Sequence, residues 1–339
     1  MNIKDLGGAA LRHDTARMAI LLALGVVVFG ALTPRTFLTG LNLQSLSFSI
    51  PEIGILALAM VIAMASGGID LSVVAIANLS AISIALVGQW GIDYAVHPIF
   101  LTLIAVPVSI LVGIACGLVN GILVSAVNIR PILTTLATGS LFAGLGIAIT
   151  NGKALYSLPQ PIADLGLATL AGVPVTLILF AVVGLAVWFV LDRTTFGHRA
   201  LLFGTNETSA RYTGFSISKI HLQTYAFAGA LAGIAAIFIV ARAASASAGF
   251  GGSYIMLAIT IAVLGGTDPT GGRARVVGCL LATVLLQVVS NGFNLLQVNP
   301  YIYQIIQGLI LATFVTMSVG RRRARAPRPA PTQKETTHA

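Results

Sequence analysis

The acidic residue best placed to do chemistry inside this chain is Asp70, set in Ser66-Gly67-Gly68-Ile69-Asp70-Leu71-Ser72 between two long apolar runs. A carboxylate at membrane depth is costly unless it has a partner or a water-lined site. The glycines before it permit a sharp backbone break, and unwound backbone is tolerated only inside protein or beside a cavity. Gly67, Gly68, Asp70 and Ser72 therefore read as a helix break that shapes or gates a pathway. Equally, Asp70 or Ser72 can be a plain N-cap of the following helix. A second break, Gly265-Gly266-Thr267-Asp268-Pro269-Thr270-Gly271-Gly272-Arg273, holds four glycines and a proline in nine residues, which forbids a continuous helix. It serves as a loop, a hinge or a partner contact.

A passage for a polar solute needs hydrogen-bonding groups on otherwise apolar spans. The candidates are Asn78, Ser80, Asn120, Thr134, Thr135, Thr138, Gln287, Asn291 and Asn294. Each can equally bond a neighbouring helix, the commoner role of a lone polar side chain in a bundle. Enzyme signatures are missing. There is no Gly-x-x-x-x-Gly-Lys-Ser/Thr loop to cradle ATP, no His-Glu-x-x-His and no zinc spacing. The sequence thus gives no catalytic, cofactor-binding or metal-binding residue.

The elements that must position these residues are membrane helices. Hydrophobic residues make up 57% of the 339 and charged residues 9%, far below the roughly 25% charge of soluble domains. The 36 glycines suit close helix packing in a bilayer. At about 20 apolar residues per crossing, some ten spans are expected, near 17–33, 47–66, 71–89, 99–126, 131–150, 173–191, 221–241, 253–266, 276–296 and 301–319. The eighth is short, as a re-entrant or broken helix is. With the N-terminus inside, sixteen of the nineteen Lys and Arg fall on the cytoplasmic side; Arg35, Lys153 and Arg242 fall outside. Both termini are then cytoplasmic, and the net charge of +9 reflects orientation rather than nucleic-acid binding. The expected fold is all-α, a polytopic helix bundle over residues 1–320, with a disordered basic tail at 321–339. Residues 192–219 form a polar cytoplasmic loop too long for a turn. Within it, Asn206 can cap a short helix over 207–212 that Gly214 ends.

Taken together, three stretches resemble the permease subunits of bacterial sugar-type ABC importers, the ribose, galactose and autoinducer-2 branch. Ser66 to Val73 is similar to the family's Gly-Gly-Ile-Asp-Leu-Ser signature, Thr195 to Phe215 to its Phe-Gly-Arg…Gly-x-Asn loop, and Gly265 to Asn294 to its Gly-Gly-Thr…Gly-Gly…Asn-Gly pattern. The chain departs at His198, at Thr208-Ser209 and at Asp268-Pro269-Thr270. The resemblance spans roughly residues 40–319. It implies a multi-pass inner-membrane permease that imports a sugar-like solute by alternating access. It implies a cytoplasmic ATPase, which binds ATP with Mg and docks on Phe196, Gly197, Arg199, Gly204, Asn206, Ala210 and Gly214. It also implies a periplasmic solute-binding protein and a second permease chain, identical or paralogous. On this reading Gly67, Gly68, Asp70, Ser72, Gly265, Gly266, Gly271 and Gly272 are gating or hinge positions. The competing class is an ion-coupled secondary transporter. That class needs several intramembrane charges, and Asp70 with Glu52 near an outer edge is all the sequence offers.

Overall fold

The computed structural model describes residues 3–212 and 216–325. Each of the ten expected spans is a helix. The first five are α1 (Ile3–Leu32), α2 (Gly40–Ala65), α3 (Val73–Asp93), α4 (Pro98–Ser125) and α5 (Pro131–Thr150). After a short helix α6 (Gln160–Leu165) and a two-stranded hairpin, β1 (Thr169–Leu170) and β2 (Val173–Pro174), come α7 (Val175–Arg193), α8 (Thr195–Thr205) and α9 (Glu207–Tyr212). The remainder is α10 (Ile217–Ala243), α11 (Tyr254–Leu264), α12 (Val276–Leu295) and α13 (Pro300–Arg325). Eight of these are long and apolar enough to cross a bilayer, with α11 and the apolar part of α13 shorter.

Burial runs opposite to that of a water-soluble protein. Leu24, Leu111, Leu136, Leu185 and Phe189 are each more than half exposed, whereas Glu52, Asp70, Ser109, Asn120 and Thr283 are buried. Such an outer surface needs lipid around it. Helix α2 is the central post, buried from Ile50 through Ser66 among α10, α11, α12 and α7. Helices α4 and α10 meet along a glycine seam. A Cβ on Gly113 would run into the Gly229 carbonyl, and one on Gly229 into that of Gly113. Ser109 Oγ closes the seam by donating to Gly233 O at 2.8 Å.

The eighth span is broken, as its length suggests. Eleven residues of α11 rise only about 16 Å, half of a hydrocarbon core of about 30 Å. Residues 244–253 complete the path. They leave α10 through left-handed Ala244 and pair Ala246 with Leu155 in both directions at 2.8 Å. Asn78 Nδ2 then donates to the carbonyls of Ala248 (3.0 Å) and Phe250 (2.9 Å), so this irregular backbone is satisfied from within the protein.

Two expectations need correction. The 192–219 connector is not a loop with one small helix. Its first half is α8, capped by Thr194 Oγ1 accepting from Gly197 N at 3.4 Å and anchored through Ala200 and Phe203, which pack with Ala210 and Ile220. The last helix also continues to Arg325, into the stretch expected to be disordered. Gly214 and residues 326–339 lie outside the described residues.

Candidate functional site

The two glycine breaks and the connector, far apart in sequence, meet at one point. Helix α8 presents Gly204 so closely that a Cβ there would strike the Ala65 carbonyl and lie 2.5 Å from Gly272 N. Gly271, at φ +92°, faces Gly204 and Gly67; a Cβ on it would sit 2.7 Å from Gly67 Cα and 2.8 Å from Gly204 Cα. Gly272 N donates to Ala65 O at 3.2 Å, so the second break caps the end of α2. Only residues without a Cβ allow three backbones this near.

The breaks share a construction that goes beyond their common glycines. Helix α2 ends with Gly67 N on Met64 O and Gly68 N on Ala63 O; α11 ends with Gly266 N on Val263 O and Thr267 N on Ala262 O. Both pairs are helix-terminating turns with a left-handed glycine. An Asp then accepts from the backbone N–H and hydroxyl two residues on. For Asp70 the donors are Ser72 N (2.9 Å) and Ser72 Oγ (2.5 Å). For Asp268 they are Thr270 N (3.0 Å) and Thr270 Oγ1 (2.7 Å). The first is buried and the second partly exposed.

Asp70 therefore caps Ser72 rather than α3 directly, and Ser72, in N-cap position, makes no side-chain cap bond. From it a buried polar chain runs across three helices. Asn120 Nδ2 donates to Ser72 Oγ at 2.8 Å, and Thr138 Oγ1 donates to Asn120 Oδ1 at 2.5 Å. Thr135 Oγ1 adds a tie, accepting from Leu71 N (3.1 Å) and donating to Ile69 O (3.0 Å). Asp70 Oδ2 and the hydroxyl of buried Tyr225 have no partner.

Most of the expected pathway residues hold helices together. Asn120 and Thr138 belong to the Asp70 chain, and Asn78 holds the 244–253 segment. Gln287 Nε2 donates to Ser49 O at 3.1 Å, and Asn291 exchanges two 3.0 Å hydrogen bonds with Asn42. Thr134 is buried with an unpartnered hydroxyl, and Asn294 is exposed. What sequence reading missed is a pairing elsewhere, between groups it had named only separately. Glu52, 1% exposed, accepts from Arg242 and from Tyr254 Oη (2.7 Å), joining α2, α10 and α11. Its partner Arg242 is distant in sequence and carried no signal.

The connector residues divide by direction. Gly197 and Ala210 are buried, Phe196 sets its ring edge-on to Phe227 at 6.3 Å, and Gly204 faces the glycine junction. Arg199 and Asn206 are exposed. Beside them stand Leu202, 57% exposed, and Tyr212, 89% exposed, neither singled out beforehand. Next to this surface a cavity of about 440 Å³ opens toward the α4–α5 turn, lined by Ser66, Asn128, Arg130, Phe203, Glu207 and His221.

A lipid-facing helix bundle with a broken span, joined through glycines to an extramembrane helix pair, defines a polytopic transport permease. Residues 42–315 match the family described as branched-chain amino acid transport system, permease component, and the chain belongs to that family. It is similar to the autoinducer 2 import system permease protein LsrD of Enterobacter sp. (strain 638), 32% identical over 307 residues, 88% of this chain and 90% of the relative. The protein of that name from Photorhabdus temperata is 32% identical over 313 residues (90% and 90%), and that from Klebsiella pneumoniae 31% over 329 (93% and 95%). No solved structure matches. The chain is a multi-pass inner-membrane permease subunit of an ATP-binding cassette importer.

Proposed function

We propose that this permease moves a small, uncharged, sugar-like solute of the autoinducer 2 or pentose kind. A cytoplasmic ATPase docks on the outer face of α8 and α9, and closure of the ATP- and Mg-loaded ATPase moves that pair. A periplasmic solute-binding protein delivers the solute, and a second permease chain, identical or paralogous, completes the pathway. The observation that carries this reading is the junction of Gly204 with Gly67, Gly271 and Gly272. A shift of α8 there meets the end of α2 and the glycine break between α11 and α12 with no side chain between to absorb it, so the movement is passed on to those elements.

The geometry separates docking from coupling. Leu202→Asp and Tyr212→Asp place charge on the exposed face and are expected to lose the ATPase during purification of the assembled complex. Gly204→Val faces inward and is expected to keep the ATPase but lose ATP-driven uptake in proteoliposomes. Copurification that survives both charged variants contradicts the docking surface. Uptake that continues without ATP and stops with a protonophore favours an ion-coupled transporter instead.

A further inference from the structure

Between α11 and α13 lies a cavity of about 240 Å³, lined by Ser253, Met256, Thr260, Gln304, Gln307 and Gly308. Its wall carries two amides and two hydroxyls and no charged group. Gln307 is 5% exposed, yet its amide nitrogen has no hydrogen-bond partner. A buried amide N–H left unpaired costs free energy, so such groups normally meet protein, water or ligand. Gln304 and Gln307 sit one turn apart on the side of α13 opposite its exposed Ile302, Ile305 and Leu309, with Gln307 buried. The two amides are thus turned away from the apolar outer face and toward α11, where they line the cavity and are placed for a polar solute. Thr260 turns its hydroxyl hydrogen to Met256 O at 2.7 Å, which leaves its oxygen lone pairs as acceptors. Ser253 makes no cap bond at the head of α11. The wall thus offers amide donors and hydroxyl acceptors together, the mixed set that recognises hydroxyl groups.

We infer that this cavity is the solute-contacting site of the chain, with Gln307 as the specificity-determining donor to a neutral, hydroxylated solute smaller than a drug-sized ligand. Pockets for the latter occupy about 300–1,000 Å³. The absence of charge from the wall argues against an amino-acid or phosphorylated solute. This inference rests on the proposed importer reading and replaces the helix-tying residues Asn78, Asn120, Gln287 and Asn291 as the place where solute is felt. Gly308 supplies the decisive variant. A Cβ there meets nothing within 4 Å, so a side chain can start from this cavity-lining position without striking protein.

The test uses the assembled importer in proteoliposomes, with radiolabelled autoinducer 2, pentoses, pentitols and hexoses as the probe panel. Gln307→Leu is expected to raise KM for the imported solute on the order of tenfold, with copurification of the ATPase unchanged. Gly308→Phe is expected to abolish uptake, also with assembly intact. In parallel, Ser253→Cys and Gly308→Cys are expected to react with a charged, water-soluble thiol reagent. Lipid-facing Leu309→Cys is expected to react several-fold more slowly. The native Cys116 and Cys279 are buried, so the unsubstituted chain is the blank. Wild-type KM in Gly308→Phe, or equal reactivity at positions 308 and 309, overturns the site. If no solute of the panel is imported by the wild-type complex, the importer reading fails on substrate while the thiol reactivity still decides whether the cavity is wet.

Discussion

Ser72 Oγ donates to Asp70 and accepts from Asn120, so Ser72→Ala removes two buried hydrogen bonds and leaves the Asn120 amide unpaired. Interhelical hydrogen bonds in membranes average about 0.6 kcal/mol, whereas stranding a buried polar group costs about 1–3 kcal/mol. The second effect dominates, and a loss of about 1–2 kcal/mol is expected, read as a lower melting temperature of the detergent-solubilised complex. Ser72→Thr keeps the hydroxyl and should restore most of it. Glu52 poses the opposite case, a carboxylate neutralised by Arg242. Breaking a buried pair costs about 3–5 kcal/mol. Since the Arg242 side chain is 43% exposed, roughly 2 kcal/mol is the better figure for Arg242→Ala. Adding Glu52→Gln should recover stability, because no charge is then left buried; a double variant less stable than Arg242→Ala contradicts this account. At this scale the sequence was half informative. Asp70 announced itself because a carboxylate within apolar runs must be accommodated. The asparagines and glutamines could not be sorted, because one sequence does not say which neighbour a helix face meets.

Between elements, glycine decides what can approach what. The α4–α10 seam puts carbonyls where side chains would otherwise be, so Gly113→Leu or Gly229→Leu cannot be relieved by a rotamer change. Each is expected to abolish accumulation of folded protein in the membrane, read by fluorescence-detected size exclusion. Gly144→Leu, where a Cβ meets nothing within 4 Å, should be silent. The helix breaks were legible for the same chemical reason, since runs of glycine with proline have no helical alternative. Their convergence was not, because it depends on tertiary contacts about 65 to 205 residues apart. Helix α8 escaped detection because Gly197 and Gly204 interrupt it, each sitting where the backbone packs against another carbonyl. What identifies it is the Phe196, Ala200, Phe203 stripe at helical spacing, a weaker signal than the glycines that obscure it.

The arrangement of the whole bundle bears on which side faces ATP. Arg130 and Glu207 line one cavity, and Gly204 in α8 touches the break that continues to Arg273 and Arg275. The α4–α5 turn, the α8–α9 pair and the 265–275 break therefore share one face, and they carry most of the cations between spans. Lys153 and the β1–β2 hairpin follow α5, which leaves that face at Pro131 and crosses to Thr150. These three cation-bearing segments thus lie together, with Lys153 at the other end of α5. Cationic loops are generally retained on the cytoplasmic side, and we propose that orientation for the shared face. In intact cells, a membrane-impermeant maleimide should label Lys153→Cys and spare Arg130→Cys, Arg199→Cys and Arg273→Cys until the membrane is permeabilised. The opposite pattern would place α8 and α9 away from ATP and remove the ATPase docking proposal. Labelling of Arg130→Cys and Arg199→Cys on different sides would contradict the shared face itself, and with it the route from α8 through Gly204 to the end of α2 and the 265–275 break.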